Sequence, residues 1–120
     1  MTGAAPPERA TARRLTQERA GAEARIAALR QDFDAIASSA SAAGADDEHD
    51  PEGSSTAFER QHVAALLEQA EGHLAEIARA EARLEDGSYG RCERCGRPIA
   101  AERLAARPAA ATCITCARRR

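Results

Sequence analysis

The chain has 120 residues, a net charge of −2 and 43% hydrophobic residues, but only 2% aromatics: no Trp, one Tyr and two Phe. That composition excludes a thick globular core and leaves a thin helical seam of Ala, Leu and Ile, in one domain or two very small ones. No apolar run approaches the ~20 residues of a membrane span, and Met-Thr-Gly-Ala-Ala-Pro-Pro at the start carries no hydrophobic targeting region, so a cytoplasmic protein with no membrane partner is expected.

The charge is unevenly spread. Residues 1–86 hold nine Arg against 17 Asp and Glu, a net of −8, and residues 87–120 hold eight Arg against two Glu, a net of +6. An acidic body with a basic end suits a protein that docks on another macromolecule. Ordinary solubility charge accounts for any single residue among them.

Residues 1–7, small and ending in Pro6-Pro7, read as disordered. From about Glu8 to Ala43 the apolar positions Ala22, Ile26, Leu29, Phe33, Ile36 and Ala40 are spaced 4, 3, 4, 3, 4. That is the a/d seam of helices packed side by side. Leu15 extends it upstream, where Arg19 and Gly21 weaken it.

A break follows at about 44–55, with Gly44, Pro51 and Gly53 as punctuation. Thr56 followed by Glu59 forms a capping box, which predicts a second helix from about Ala57 to Asp86. Its seam is Val63, Leu67, Ala70, Leu74, Ile77 and Leu84, flanked by Leu66; Glu81 interrupts it, so Ala80 is the alternative inward position. Gly87 suits the C′ position. Two helices of similar length with one break predict a mainly α fold, an antiparallel coiled-coil hairpin over 8–86. His62 and His73 fall off the seam and read as surface residues.

The four cysteines of the chain all fall in its last quarter, as Cys92-x2-Cys95, seventeen residues, then Cys113-x2-Cys116. Each Cys-x-x-Cys points two thiolates at one ion, and the gap returns the second pair to the first. The spacing predicts one structural Zn2+ held by Cys92, Cys95, Cys113 and Cys116 in a finger over 87–117, followed by a basic tail at 118–120. Gly96, directly after Cys95, supplies the positive φ that a knuckle turn needs. A pair of disulfides fits a secretory context, which the chain lacks. A redox Cys-x-x-Cys goes with a βαβ pattern, which is absent. Catalytic zinc keeps an open position, which four thiolates close. Pro98 is placed to open a short helix over 100–106, and Pro108 to stop it.

From Leu84 the chain reads Leu-Glu-Asp-Gly-Ser-Tyr-Gly-Arg-Cys-Glu-Arg-Cys-Gly-Arg-Pro-Ile, and later Glu-Arg-Leu-Ala-Ala-Arg-Pro-Ala-Ala-Ala-Thr-Cys-Ile-Thr-Cys. This resembles the four-cysteine zinc finger of the DksA/TraR family of bacterial transcription regulators. Matching positions are Gly87, Tyr89, Gly90, Cys92, Cys95, Gly96, Ile99, Arg103, Leu104, Ala106, Pro108, Ala110, Cys113 and Cys116, and the preceding hairpin is the family's architecture.

The resemblance implies a non-enzymatic regulator that binds RNA polymerase through its secondary channel rather than reading promoter DNA, with acidic residues of the coiled-coil tip near the active centre. Here the segment between the helices carries Asp46, Asp47, Glu48, Asp50 and Glu52. Asp47 and Asp50 reproduce the two aspartates of the family's Asp-x-x-Asp-x-Ala tip, whereas Glu52 stands where the alanine belongs. They are the expected partner contacts; as a simpler role, Asp50 and Glu52 favour the start of the second helix through its dipole. Longer members use a helix beyond the last cysteine for the alarmone ppGpp; this chain has four residues there, so ppGpp use in that manner is not expected. The alternatives from other classes are a nucleic-acid-binding zinc ribbon, suggested by the basic end, and a redox-sensing module, suggested by the thiolates. No nucleophile–base pair or phosphate loop suggests an enzyme.

Overall fold

The structure is a computed structural model that describes residues 6–43 and 51–119, with side-chain surroundings for 8–38 and 55–119. Four helices follow in order: α1 (Pro6–Ala43), α2 (Pro51–Asp86), α3 (Ala101–Ala106) and α4 (Ile114–Arg118). Among the described residues there are no strands, only an isolated antiparallel bridge between Arg91 and Pro98. The chain is a helical hairpin of α1 and α2 followed by the four-cysteine segment. Arg19 meets Glu81 and Arg30 meets Glu71, so numbers rise along α1 as they fall along α2.

Both long helices begin earlier than their patterns predict. α1 takes in Pro6 and Pro7, expected to be disordered, because the first turn of a helix has no intrahelical use for its N–H groups. α2 begins at Pro51, not at Ala57, so Thr56 and Glu59 lie inside it and form no capping box at its start. A proline at the first helical position has its φ already set and no N–H to leave unpaired. The break between the helices is correspondingly shorter than 44–55.

The chain divides into two compact units. One joins residues 1–21 to 73–120, the other is 22–72. The core of the second unit is Ala22, Ile26, Leu29 and Ala70, all buried, with Phe33, Ile36, Val63 and Leu67 half-buried around them. These are the predicted seam positions; Ala40 lies outside the described side chains. Within this unit Arg30 Nη2 donates to Glu71 Oε2 at 3.0 Å on the exposed surface.

In the first unit Leu15, Ile77 and Ala80 are completely buried. Ala80 takes the inward position that Glu81 leaves. Arg19 and Glu81, each a polar residue at a seam position, pair with one another: Arg19 Nη1 donates to both carboxylate oxygens, at 3.0 and 2.9 Å. With side chains 42% and 27% exposed, the pair contributes under about 1 kcal/mol. Its larger effect is on register, since a slipped pairing would put each charge against an apolar seam. His73 is exposed, 3.4 Å from Glu18 and 3.6 Å from Glu76, as the surface reading expects.

Gly21 and Gly72 interrupt α1 and α2 without a steric reason. Both are exposed, and a Cβ at either would meet nothing within 4 Å. Glycine costs roughly 1 kcal/mol relative to alanine inside a helix. Gly21→Ala and Gly72→Ala should therefore each stabilise the chain by about that amount, and raise the midpoint of a circular-dichroism melt by several degrees together. A lower midpoint would mean that the backbone at these positions departs from helix.

Candidate metal centre

The end of α2 delivers the chain to the cysteines. Gly87 has φ +85, and Ser88 N–H donates to the Arg83 carbonyl at 2.9 Å, the long-range bond of a Schellman cap. Asp86 Oδ1 accepts from both Ser88 N–H and Ser88 Oγ, at 3.0 and 2.5 Å, and these bonds hold its carboxyl below the usual carboxylate range. Tyr89 then turns inward. Its hydroxyl donates to the Pro108 carbonyl at 2.6 Å, which ties the start of the segment to the stretch before the second cysteine pair. Burial pushes the Tyr89 phenol up, against the opposing charges of Arg14 and Arg83.

Cys92 and Cys95 form the first knuckle. Cys92 N–H donates to the Arg97 carbonyl and Gly96 N–H to the Cys92 carbonyl, both at 2.8 Å, while Gly96 adopts φ +76. The return past Pro98 is held by Ile99 N–H to the Gly90 carbonyl at 2.7 Å. Pro98 thus sits in the bridge to Arg91; α3 starts three residues later, at Ala101, after Ala100 as its uncapped N-cap. Arg14 Nη2 on α1 donates to the Ala105 carbonyl at 2.5 Å, near the C-terminal end of α3, where a cation is favoured. Arg103 Nε donates to the Thr112 carbonyl at 2.8 Å and so sets the residue before Cys113.

The second knuckle is built by α4, a helix the sequence reading left as part of the finger and a basic tail. Cys113 is its N-cap: its Sγ accepts from Cys116 N–H at 3.5 Å, doing with sulfur what Ser or Asp does with oxygen. Arg118 belongs to this helix rather than to a tail. Glu93 N–H to the Ala111 carbonyl, at 2.9 Å, links the two knuckles.

All four Sγ atoms lie within 4.8 Å of one another, and Cys95 Sγ is 3.8 Å from Cys113 Sγ. A tetrahedron with Zn–S bonds of about 2.3 Å has S···S edges of about 3.8 Å. The donor set and its spacing fit one structural Zn2+, and four thiolates leave no open position for chemistry. The backbone is prepared for anionic sulfur. Burial works to raise the Cys92 thiol, but the N–H groups of Cys113, Cys95 and Arg94 outweigh it and hold the group at about 6. The Cys116 N–H likewise lowers Cys113. Cys116 is pushed up to about 12, first by hydrogen bonding with Cys92 and then by burial.

The expected tip residues Asp47 and Asp50 lie outside the described residues. One feature escaped the sequence reading. A cavity of about 250 Å³ is lined by Arg79, Arg83, Arg103 and Arg107, with Glu76 and Glu93 as the acidic members. Arg83 Nη2 is buried there without a hydrogen-bond partner. The spacing of Glu76, Arg79 and Arg83 on one face of α2 was the available signal; Glu93 comes from the first knuckle, Arg103 from α3 and Arg107 from just after it.

Comparison with known proteins places the metal centre. Residues 87–120 match the family model described as the prokaryotic DksA/TraR C4-type zinc finger. The match takes in all four cysteines and covers the last 34 residues of the chain. The structure of transcription factor DksA2 from Pseudomonas aeruginosa superposes with a TM-score of 0.75 at 28% identity, covering 93% of this chain and 81% of that one. The likeness in fold therefore extends beyond residues 87–120 into the hairpin. No curated protein matches the chain. No described helix is long and apolar enough to cross a membrane.

Proposed function

We propose that this chain is a non-enzymatic, cytoplasmic transcription regulator that docks on RNA polymerase and places the acidic segment between α1 and α2 in the secondary channel. The observation that carries the proposal is the joint occurrence of a DksA/TraR C4 zinc finger with a helical hairpin similar over 93% of the chain to a transcription factor. A closed four-thiolate centre supports a structural metal and offers no catalytic position. In this reading the zinc finger, and the bonds from Arg14 and Tyr89 into it, anchor the base of the hairpin.

Asp47 and Asp50 are the contacts assigned to the tip. Five carboxylates within seven residues, Asp46 to Glu52, are suited to basic side chains or to the magnesium ion of a polymerase active centre. The test is a pull-down against core RNA polymerase combined with promoter transcription in vitro. Asp47→Ala with Asp50→Ala should retain binding within about twofold, since tip contacts are few, and lose the transcriptional effect. Normal regulation by the double variant would remove the tip assignment. Failure of the unaltered chain to capture polymerase would remove the function itself.

A further inference from the structure

We propose that the outward face of α4, together with Arg94, is a docking surface for an acidic protein surface, with Ile114 as its apolar anchor. The inference rests on the polymerase reading for the identity of the partner and adds which part of the finger meets it.

Large apolar side chains are covered nearly everywhere among the described residues; Ile114, 48% exposed, and Phe58 are the exceptions. Ile114 and Arg118 stand four residues apart on α4 and so share one face, and both are exposed. Arg94 reaches the far end of the same helix. Its Nη1 donates to the carbonyls of Cys116 and Arg119, at 3.3 and 3.0 Å. The result is one exposed apolar side chain at the start of a helix whose C-terminal end carries Arg118 and Arg119 and receives the Arg94 guanidinium.

Of these arginines, Arg94 is positioned without being neutralised, since both of its bonds go to carbonyls. Arg91, Arg94 and Arg103 direct their hydrogen bonds to carbonyls, those of Gly96, of Cys116 and Arg119, and of Thr112. Only Glu93 and Glu102 oppose the eight arginines of residues 87–120. Four thiolates and one Zn2+ bring the segment from +6 to about +4, still strongly basic. An arginine whose position is already fixed loses little side-chain entropy on meeting a carboxylate, and Arg beside an exposed aliphatic anchor is the make-up of a protein interface.

Nucleic acid suits this face less well. Residues 87–120 contain no Trp or Phe, and their one aromatic, Tyr89, is half-buried with its hydroxyl engaged by Pro108, so no platform stacks a base. The finger's helices have six and five residues, too short to lie along a major groove.

The test compares full-length chains for binding to core RNA polymerase by fluorescence anisotropy at low and moderate salt, with zinc content and far-ultraviolet dichroism as folding controls. Ile114→Ser and Arg118→Glu with Arg119→Glu should each weaken binding about tenfold or more, and the charge reversal should flatten the salt dependence. Arg118→Lys with Arg119→Lys keeps the charge and should bind within about threefold of the unaltered chain. Should Ile114→Ser lose zinc, Ile114→Ala asks the same question without adding a hydroxyl. Zinc-loaded variants that bind polymerase normally would overturn the surface and leave the polymerase reading standing. An unaltered chain that binds no polymerase would end both. Tight binding of bare duplex DNA, abolished by the charge reversal, would make nucleic acid the occupant and overturn the proposal.

Discussion

Stripping the metal from the purified chain should unravel residues 87–119 and leave the hairpin helical. The segment buries few side chains, chiefly Cys92, Ile99 and Ala109, and one of those is itself a donor to the ion. A core of that size does not stand alone in so short a segment. Its helices, six and five residues long, are below the length at which an isolated helix persists. Metal binding therefore supplies the folding free energy of the segment, of order 10 kcal/mol for structural zinc. α3 and α4 hold only 11 of the 85 helical residues, so chelation should cost about an eighth of the helical dichroism while collapsing the amide signals of 87–119. Cys92→Ser should produce the same spectrum without chelator. Dispersed signals that survive full zinc removal would show that the hydrogen bonds of Tyr89 and Arg103 suffice.

The pH dependence follows from the same site. Zinc binds thiolates, so every proton on the metal-free cluster competes with it. At neutral pH Cys92, held at about 6, is largely ionised, whereas Cys116, pushed up to about 12, keeps its proton until the metal displaces it. Zinc binding near pH 7 thus releases protons, and affinity falls as the solution is acidified. Cys92 begins to resist the metal only below about pH 6. Isothermal titration in two buffers of different ionisation enthalpy reads that release directly.

The metal centre was legible from cysteine spacing because two-residue gaps and a seventeen-residue return leave the donors little choice of geometry. The hairpin was legible because a 4/3 repeat on both helices can be buried only against another such repeat. Arg19 and Glu81 were harder. Each weakens its own helix's pattern, and only the antiparallel register, absent from either stretch alone, shows that they meet. Thr56 and Glu59 misled because a capping box is a local signal, and Pro51, five residues before Thr56, was an equally local one with a different consequence. α4 was missed because a cysteine side chain capping a helix is not part of the usual Ser, Thr, Asp and Asn signature. The arginine-lined cavity draws on α2, the first knuckle and the turns around α3, a convergence that no single window of sequence contains.

Leu15→Ala and Ile77→Ala should each destabilise the chain by about 2–5 kcal/mol, the largest effects of any single substitution outside the metal ligands. Both side chains are fully buried, one from each long helix, in the unit that also holds the zinc finger. Neighbouring seam positions there are filled by Ala80, too small to swell into a vacancy, and by the Arg19–Glu81 pair, whose charges resist being drawn inward. The cavity left by truncation should therefore collapse little, which places the cost in the upper half of that range. A seam residue of the other unit offers the contrast. Leu67 is only half-buried, and Leu67→Ala should cost less than either. Urea denaturation followed by far-ultraviolet dichroism distinguishes the outcomes, with zinc kept saturating so that the finger stays folded. Equal costs at Leu15, Ile77 and Leu67 would mean that the hairpin is held evenly along its length. A cost concentrated at Leu15 and Ile77 would locate its main apolar fastening in the unit that holds the zinc finger, where two fully buried side chains and Ala80 make the tightest packing of the two long helices.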